Sequence, residues 1–151
     1  MCLYRVNRSY KTPRKLNQPI TAYKVVQVRP SGELKPVLVD ADLLRSVLFP
    51  VGEWLEDPNE VRVYPWRAAW SYDLGFHSYK RKKDALQSLA WECPYRYRRA
   101  IWRIQVDGIT ATGIDEYDVF CYVSRKVKFV HQVAHRFATC SDVGFLGKET
   151  Y

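Results

Sequence analysis

Apolar and polar positions alternate along Thr21–Arg29 (TAYKVVQVR), a run dense in β-branched and aromatic residues that stops at Pro30-Ser31-Gly32. That pattern predicts a half-buried strand closed by a turn. Val61–Tyr64, ahead of Pro65, predicts a short strand, and Val51–Glu56 a short extended piece. Leu43–Phe49 fits either a short helix or a strand, ended by Pro50-Val51-Gly52. In Asp84–Trp91 (DALQSLAW), Ala85, Leu86, Leu89 and Ala90 recur at helical spacing, and Pro94 follows the end. Asp84 stands at the expected start of this helix, where a carboxylate satisfies free backbone N–H groups. Arg99–Val106 (RAIWRIQV) predicts a strand ended by the turn pair Asp107-Gly108. Val119–Val133 predicts one bent strand or two, with Val127, Phe129 and His131 on one face and Lys126, Lys128 and Val130 on the other.

These elements predict an α+β fold: a twisted, mostly antiparallel β-sheet with one main helix at about residues 84–92 and a basic N-terminal arm. The expected division is a basic arm over 1–19, a single α+β domain over 20–140 and a polar tail over 141–151. A length of 151 residues is one domain's worth, and 47% hydrophobic with 26% charged residues excludes a wholly disordered chain. No apolar run approaches the ~18 residues of a membrane helix, so no membrane partner is expected. The opening residues, MCLYRVNRSYKTPRK, contain neither an apolar signal region nor a small-residue cleavage site, which predicts a cytoplasmic protein. Cys2, Cys93, Cys121 and Cys140 are irregularly spaced and read as reduced thiols, mostly core fillers.

Charge changes this picture. The chain carries a net charge of +8, distributed in blocks. Residues 1–18 hold Arg5, Arg8, Lys11, Arg14 and Lys15 and no acid. Residues 31–61 reverse the sign to −5, and residues 79–105 return to +6. Within the last block, Tyr79-Lys80-Arg81-Lys82-Lys83 precedes the helix and Tyr95-Arg96-Tyr97-Arg98-Arg99 follows it. A helix of about eight residues is only ~12 Å long, so the two clusters are expected to lie close together. Arg and Lys can hold phosphate and Tyr rings can stack on bases, which makes this face a candidate site for nucleic acid or for an acidic protein partner.

Other residues carry weaker chemistry. His77, in Gly75-Phe76-His77-Ser78-Tyr79, reads as a structural histidine whose ring bonds backbone, because no partner that would make it a base stands nearby in sequence. His131 and His135, with Cys121 and Cys140, have the residue types of a zinc site. On a strand, however, the two histidines stand ~13 Å apart, and no CxxC pair is present, so no metal is expected. Asp40/Asp42 and Asp115/Glu116/Asp118 read as solvated turns. No phosphate loop, dinucleotide fingerprint or nucleophile elbow occurs, so neither a cofactor nor a catalytic residue is expected. Trp91 and Trp102 sit in apolar patterns and read as core, while Trp54, Trp66 and Trp70 are candidates to line a pocket or interface.

The order of short motifs is informative in its own right. Val51-Gly52-Glu53-Trp54, Gly75-Phe76-His77-Ser78-Tyr79, the helix opening Asp84-Ala85, the strand Ile101–Val106 before Gly108 and the closing strand Ser124–Val130 follow one another. This order resembles a family of small uncharacterised proteins of bacteria and their phages. The likeness spans roughly residues 21–133, and the basic run Lys80–Lys83 departs from it. It implies a phage or bacterial setting, with a host or defence complex as context, and lends no chemistry. A second likeness, a Gly-aromatic strand followed by a short helix and a V-x-V strand, is to ADP-ribosyltransferase-like folds. It implies an NAD-using enzyme in which His77, Tyr79 and Glu116 would serve, although Asp115-Glu116-Tyr117-Asp118 does not match the expected Glu motif. The leading expectation is a small non-catalytic binding protein that docks its basic Tyr/Arg/Lys-rich face onto nucleic acid or an acidic protein. The alternatives are the NAD-using transferase and a structural subunit of a particle or assembly. The sequence leaves the oligomeric state open.

Overall fold

The computed structural model describes Leu3 and residues 5–7, 18–36, 48–57, 62–63, 72–73, 75–91, 98–115 and 117–137. The longest elements are two strands that form one hairpin, β8 (Arg98–Ile114) and β9 (Phe120–Phe137). Against the free edge of β8 lie β1 (Arg5–Val6) and β2 (Ile20–Val28), with β3 (Leu34–Pro36) returning beside the end of β2. The other edge of β9 carries β4 (Trp54–Glu56) and β7 (Phe76–Tyr79). β7 also meets β2 at Tyr23↔Tyr79, so β8, β2, β7 and β9 form a closed circuit of antiparallel neighbours. A small separate pair joins β5 (Arg62–Val63) to β6 (Tyr72–Asp73). The single helix among the described residues, α1 (Lys82–Trp91), packs against β2, β7 and β8. The architecture is a mostly antiparallel sheet with one short helix, in line with the expected α+β class.

Two apolar clusters hold it together. Ala85 and Leu89 of α1 pack with Val25, Tyr79, Ile101, Cys121 and Val123 in the first. The second gathers Ala22, Val26, Ile104, Val106, Val127 and Phe129 around Phe49, whose ring stacks on Phe129 at 4.8 Å. The alternation of β2 explains the division, since Val25 points to one cluster while Ala22 and Val26 point to the other.

Four expectations need correction. Asp107-Gly108 does not end a strand: β8 runs on to Ile114, and Gly108 absorbs a φ of +61° inside it while its N–H bonds the Asp107 carboxylate at 2.7 Å. The reversal comes instead at Asp115–Val119, where Asp118 takes a φ of 62°. Asp115 is therefore no solvated turn residue; it is buried, and its Oδ1 accepts the N–H groups of Tyr117 and Val119, each at 3.0 Å. His131 is not on the buried face with Phe129. The β8–β9 register moves between Arg103↔His131 and Ile104↔Phe129, leaving Val130 as an extra residue, and both Val130 and His131 are exposed. The N-terminal segment is not wholly an arm, because Leu3 is fully buried and β1 pairs with β8. That pairing depends on Gly113, where a Cβ would collide with the Arg5 carbonyl oxygen.

Candidate nucleic-acid interface

The helix begins earlier than its apolar spacing suggests. The Arg81 carbonyl accepts the N–H groups of Asp84 and Ala85 at 3.1 and 3.3 Å, which makes Arg81 the residue that caps the first turn. Asp84 is then the third helical residue. Its buried carboxylate receives the Arg81 guanidinium, Nε to Oδ2 at 2.8 Å and Nη2 to Oδ1 at 3.1 Å. This fork corrects the expectation of a simple capping carboxylate at Asp84.

Around this turn the expected basic face divides. Lys80, Arg81 and Lys83 are exposed and Lys82 is half-buried. The Lys80 ammonium sits 5.6 Å from the centre of the Phe120 ring. Beyond the helix, Arg99 is buried and so does not belong to a docking surface, and Arg98 is half-buried. The two groups are also not neighbours. Tyr79 is level with Tyr23, which is level with Arg103, and Arg98 lies five residues further along β8. At ~3.3 Å per residue that separation is about 17 Å, two Debye lengths at physiological salt. Tyr95, Arg96 and Tyr97 lie outside the described residues, as do Arg8, Lys11, Arg14 and Lys15. Arg5 is exposed and forms an ion pair with Asp118 at 3.0 Å.

Of the residues for the alternative enzyme, Glu116 lies outside the described residues. Tyr79 is buried in the cluster beneath α1. The His77 ring hydrogen-bonds the Gly75 backbone, and its pKa is pushed down to about 3, first by burial and then by the charge of Lys24. The ammonium of Lys24 is itself enclosed; it donates to the His77 carbonyl at 2.6 Å and faces the Phe49 ring at 5.8 Å, and burial lowers its pKa to about 8. The imidazole is thus held neutral, with its ring bonded to the Gly75 backbone. Burial raises the Cys121 thiol, whose Sγ donates to the Val119 carbonyl at 3.5 Å. Cys121 and His131 stand ten residues apart on β9, so the structure does not bring these two zinc candidates together. No group of metal-ligating residues occurs among the described residues, and none of their helices is long and apolar enough to cross a membrane.

A second exposed surface was only partly signalled by the sequence. Directly opposed residues share a face, so Trp54, Lys128, Gln105 and Thr21 form one row across β4, β9, β8 and β2. The next row along is Tyr23, Arg103 and His131. Trp54 is 43% exposed, and Arg103, His131, Val130 and Thr21 are exposed as well. Of the aromatic residues expected to line a pocket, Trp54 is therefore on this face, while Trp66 and Trp70 lie outside the described residues. The alternation Arg99, Ile101, Arg103, Gln105 against Ala100, Trp102, Ile104, Val106 was the signal that could have found Arg103.

No family model, curated protein or solved structure matches the chain.

Proposed function

We propose that the protein is a non-catalytic binder of nucleic acid that holds phosphate against the basic surface at the start of α1. The observation that carries this reading is the placement of Lys80, Arg81 and Lys83, all exposed, at the N-terminal end of a helix. That end carries about half a positive charge from the aligned peptide dipoles, so cations there oppose folding. Asp84 offsets Arg81 alone. A phosphate relieves the remaining repulsion, because helix N–H groups and basic side chains both favour an anion. The sequence adds Arg8, Lys11, Arg14 and Lys15 as further positive charge. A bacterial or phage setting, implied by the order of motifs, belongs to the same proposal.

The test is the paired reversal Lys80→Glu/Lys83→Glu, which leaves the Arg81–Asp84 fork intact. Binding to a labelled oligonucleotide should fall at least tenfold with the thermal midpoint equal to wild type or raised, because acids favour a helix N-terminus. Log affinity of the wild type should fall linearly with log salt, by about 0.9 per phosphate neutralised on duplex DNA and about 0.7 on single strands. Undiminished binding by the folded double variant overturns the reading.

A further inference from the structure

We infer that the open sheet face formed by β2, β8, β9 and β4 takes single-stranded nucleic acid, with Trp54 as a platform for a base and Lys128 and Arg103 as contacts to the backbone phosphates. This rests on the nucleic-acid reading above and names its substrate class, at a surface distinct from the helix start. Strands ~4.8 Å apart place Trp54 and Thr21, three strands from each other, about 14 Å apart on a flat surface. Trp54 is 43% exposed on β4, which among the described residues pairs with β9 alone. An indole left in water at a sheet edge contributes little to the core, yet it offers a ring face on which any base can stack.

The charges around it fit a phosphate chain. Lys128 is directly opposite Trp54, and Arg103 lies one row further along. Among the described residues, neither side chain has an ion-pair or hydrogen-bond partner. The acids of this face stand in the row beyond Trp54: Glu56 holds Lys126 at 3.2 Å, and Asp107 is opposite Lys126 on the other side. The central rows are therefore purely cationic, polar and aromatic. A duplex keeps its bases stacked on each other and has no ring to give Trp54, whereas an unpaired strand does. An apolar protein surface fits less well. Lys128 stands directly opposite Trp54, so an apolar partner that covered the indole would strip water from this ammonium, which no described residue pairs.

The test compares a labelled 15-nucleotide single strand with a duplex of the same sequence, on wild type, Trp54→Ala, Trp54→Phe and Lys128→Glu/Arg103→Glu. The expected result is preference for the single strand, a loss of about 5- to 150-fold in Trp54→Ala, recovery of most of it in Trp54→Phe, and a lower salt slope in the charge variant. If the protein binds nucleic acid without preferring single strands, or binds equally with Trp54→Ala, the open face is not the site and the helix-start reading stands alone. If neither probe binds the wild type, both readings fall.

Discussion

One face of the sheet changes character within a single step of two residues. Val25, Ile101 and Ala134 form a row that packs in the cluster beneath Ala85 and Leu89 of α1. Two residues along β2 and β8, the row is Tyr23, Arg103 and His131, and the last two are exposed. The strands continue unbroken through both rows. What changes is the cover, since a ten-residue helix is ~15 Å long and shields only part of a seventeen-residue strand. The chain places isoleucine and valine where the helix lies and arginine, glutamine and lysine where it does not. A stretch of sheet left bare and made cationic is therefore a property of the design of this face, and its consequences can be measured.

The largest expected effect breaks the comparison at its boundary. Ile101→Ala removes a fully buried side chain from the helix-side cluster and should cost about 2–5 kcal/mol. Arg103→Ala, one step away on the same face of the same strand, should stay within about 0.5 kcal/mol. Denaturant midpoints of the two variants decide the matter. A comparable loss in both would mean that the Arg103 row is as packed as the Ile101 row.

Much of this boundary was legible in the sequence, though its meaning was not. The β-branched run at 21–29, the helix at about 84–92 and the alternation of β9 as far as Phe129 each followed from residue type and period, and the structure shifts the first two to Ile20–Val28 and Lys82–Trp91. The error at Asp107-Gly108 came from local turn chemistry. That pair favours a hairpin when the partner strand is short, but here β9 offers pairing on both sides of Gly108, and a positive φ within the strand satisfies the same preference. The extra residue at Val130 was invisible because a bulge is a property of two strands in register, not of one. Proximity misled in the same way. Lys83 and Arg98 looked adjacent because one short helix separates them, whereas the strand register puts α1 lengthwise between them. Arg99 read as surface because arginine usually is; the alternation that puts it on the Ile101 side of β8, where it is buried, needed the fold to acquire meaning.

A smaller effect sharpens the contrast between enclosed and open polar groups. His77 is enclosed, and its imidazole accepts a proton only near pH 3 when folded, against an ordinary value near 6.5 when unfolded. Between those values the unfolded chain binds more protons, so acid favours unfolding. The stability is complete above about pH 6.5 and is lost as pH falls, by about 1.4 kcal/mol per pH unit. Between pH 7 and 5, before most carboxylates titrate, the expected loss is roughly 1.5–2 kcal/mol. His77→Gln should abolish that slope while remaining folded at pH 7. A wild type whose midpoint is flat over this range would show that the ring is solvated and belongs with the open half.

The smallest effect concerns how the covering helix is fastened at its start. If Asp84 acted through backbone N–H groups alone, Arg81 would be a dispensable surface residue. The observed fork of 2.8 and 3.1 Å makes the two side chains one unit instead. Asp84→Ala removes a part-buried, charge-assisted pair and a favourable charge in the first helical turn, and should cost about 1–2 kcal/mol. Arg81→Ala should also lower the midpoint, because it leaves the Asp84 carboxylate buried without its main donor. The double variant should then be more stable than the two single losses predict, since removing both partners leaves nothing unsatisfied. Additive losses, or an Arg81→Ala midpoint equal to wild type, would return Asp84 to the role of an ordinary cap. Arg81 would then be free to join Lys80 and Lys83 in meeting a phosphate.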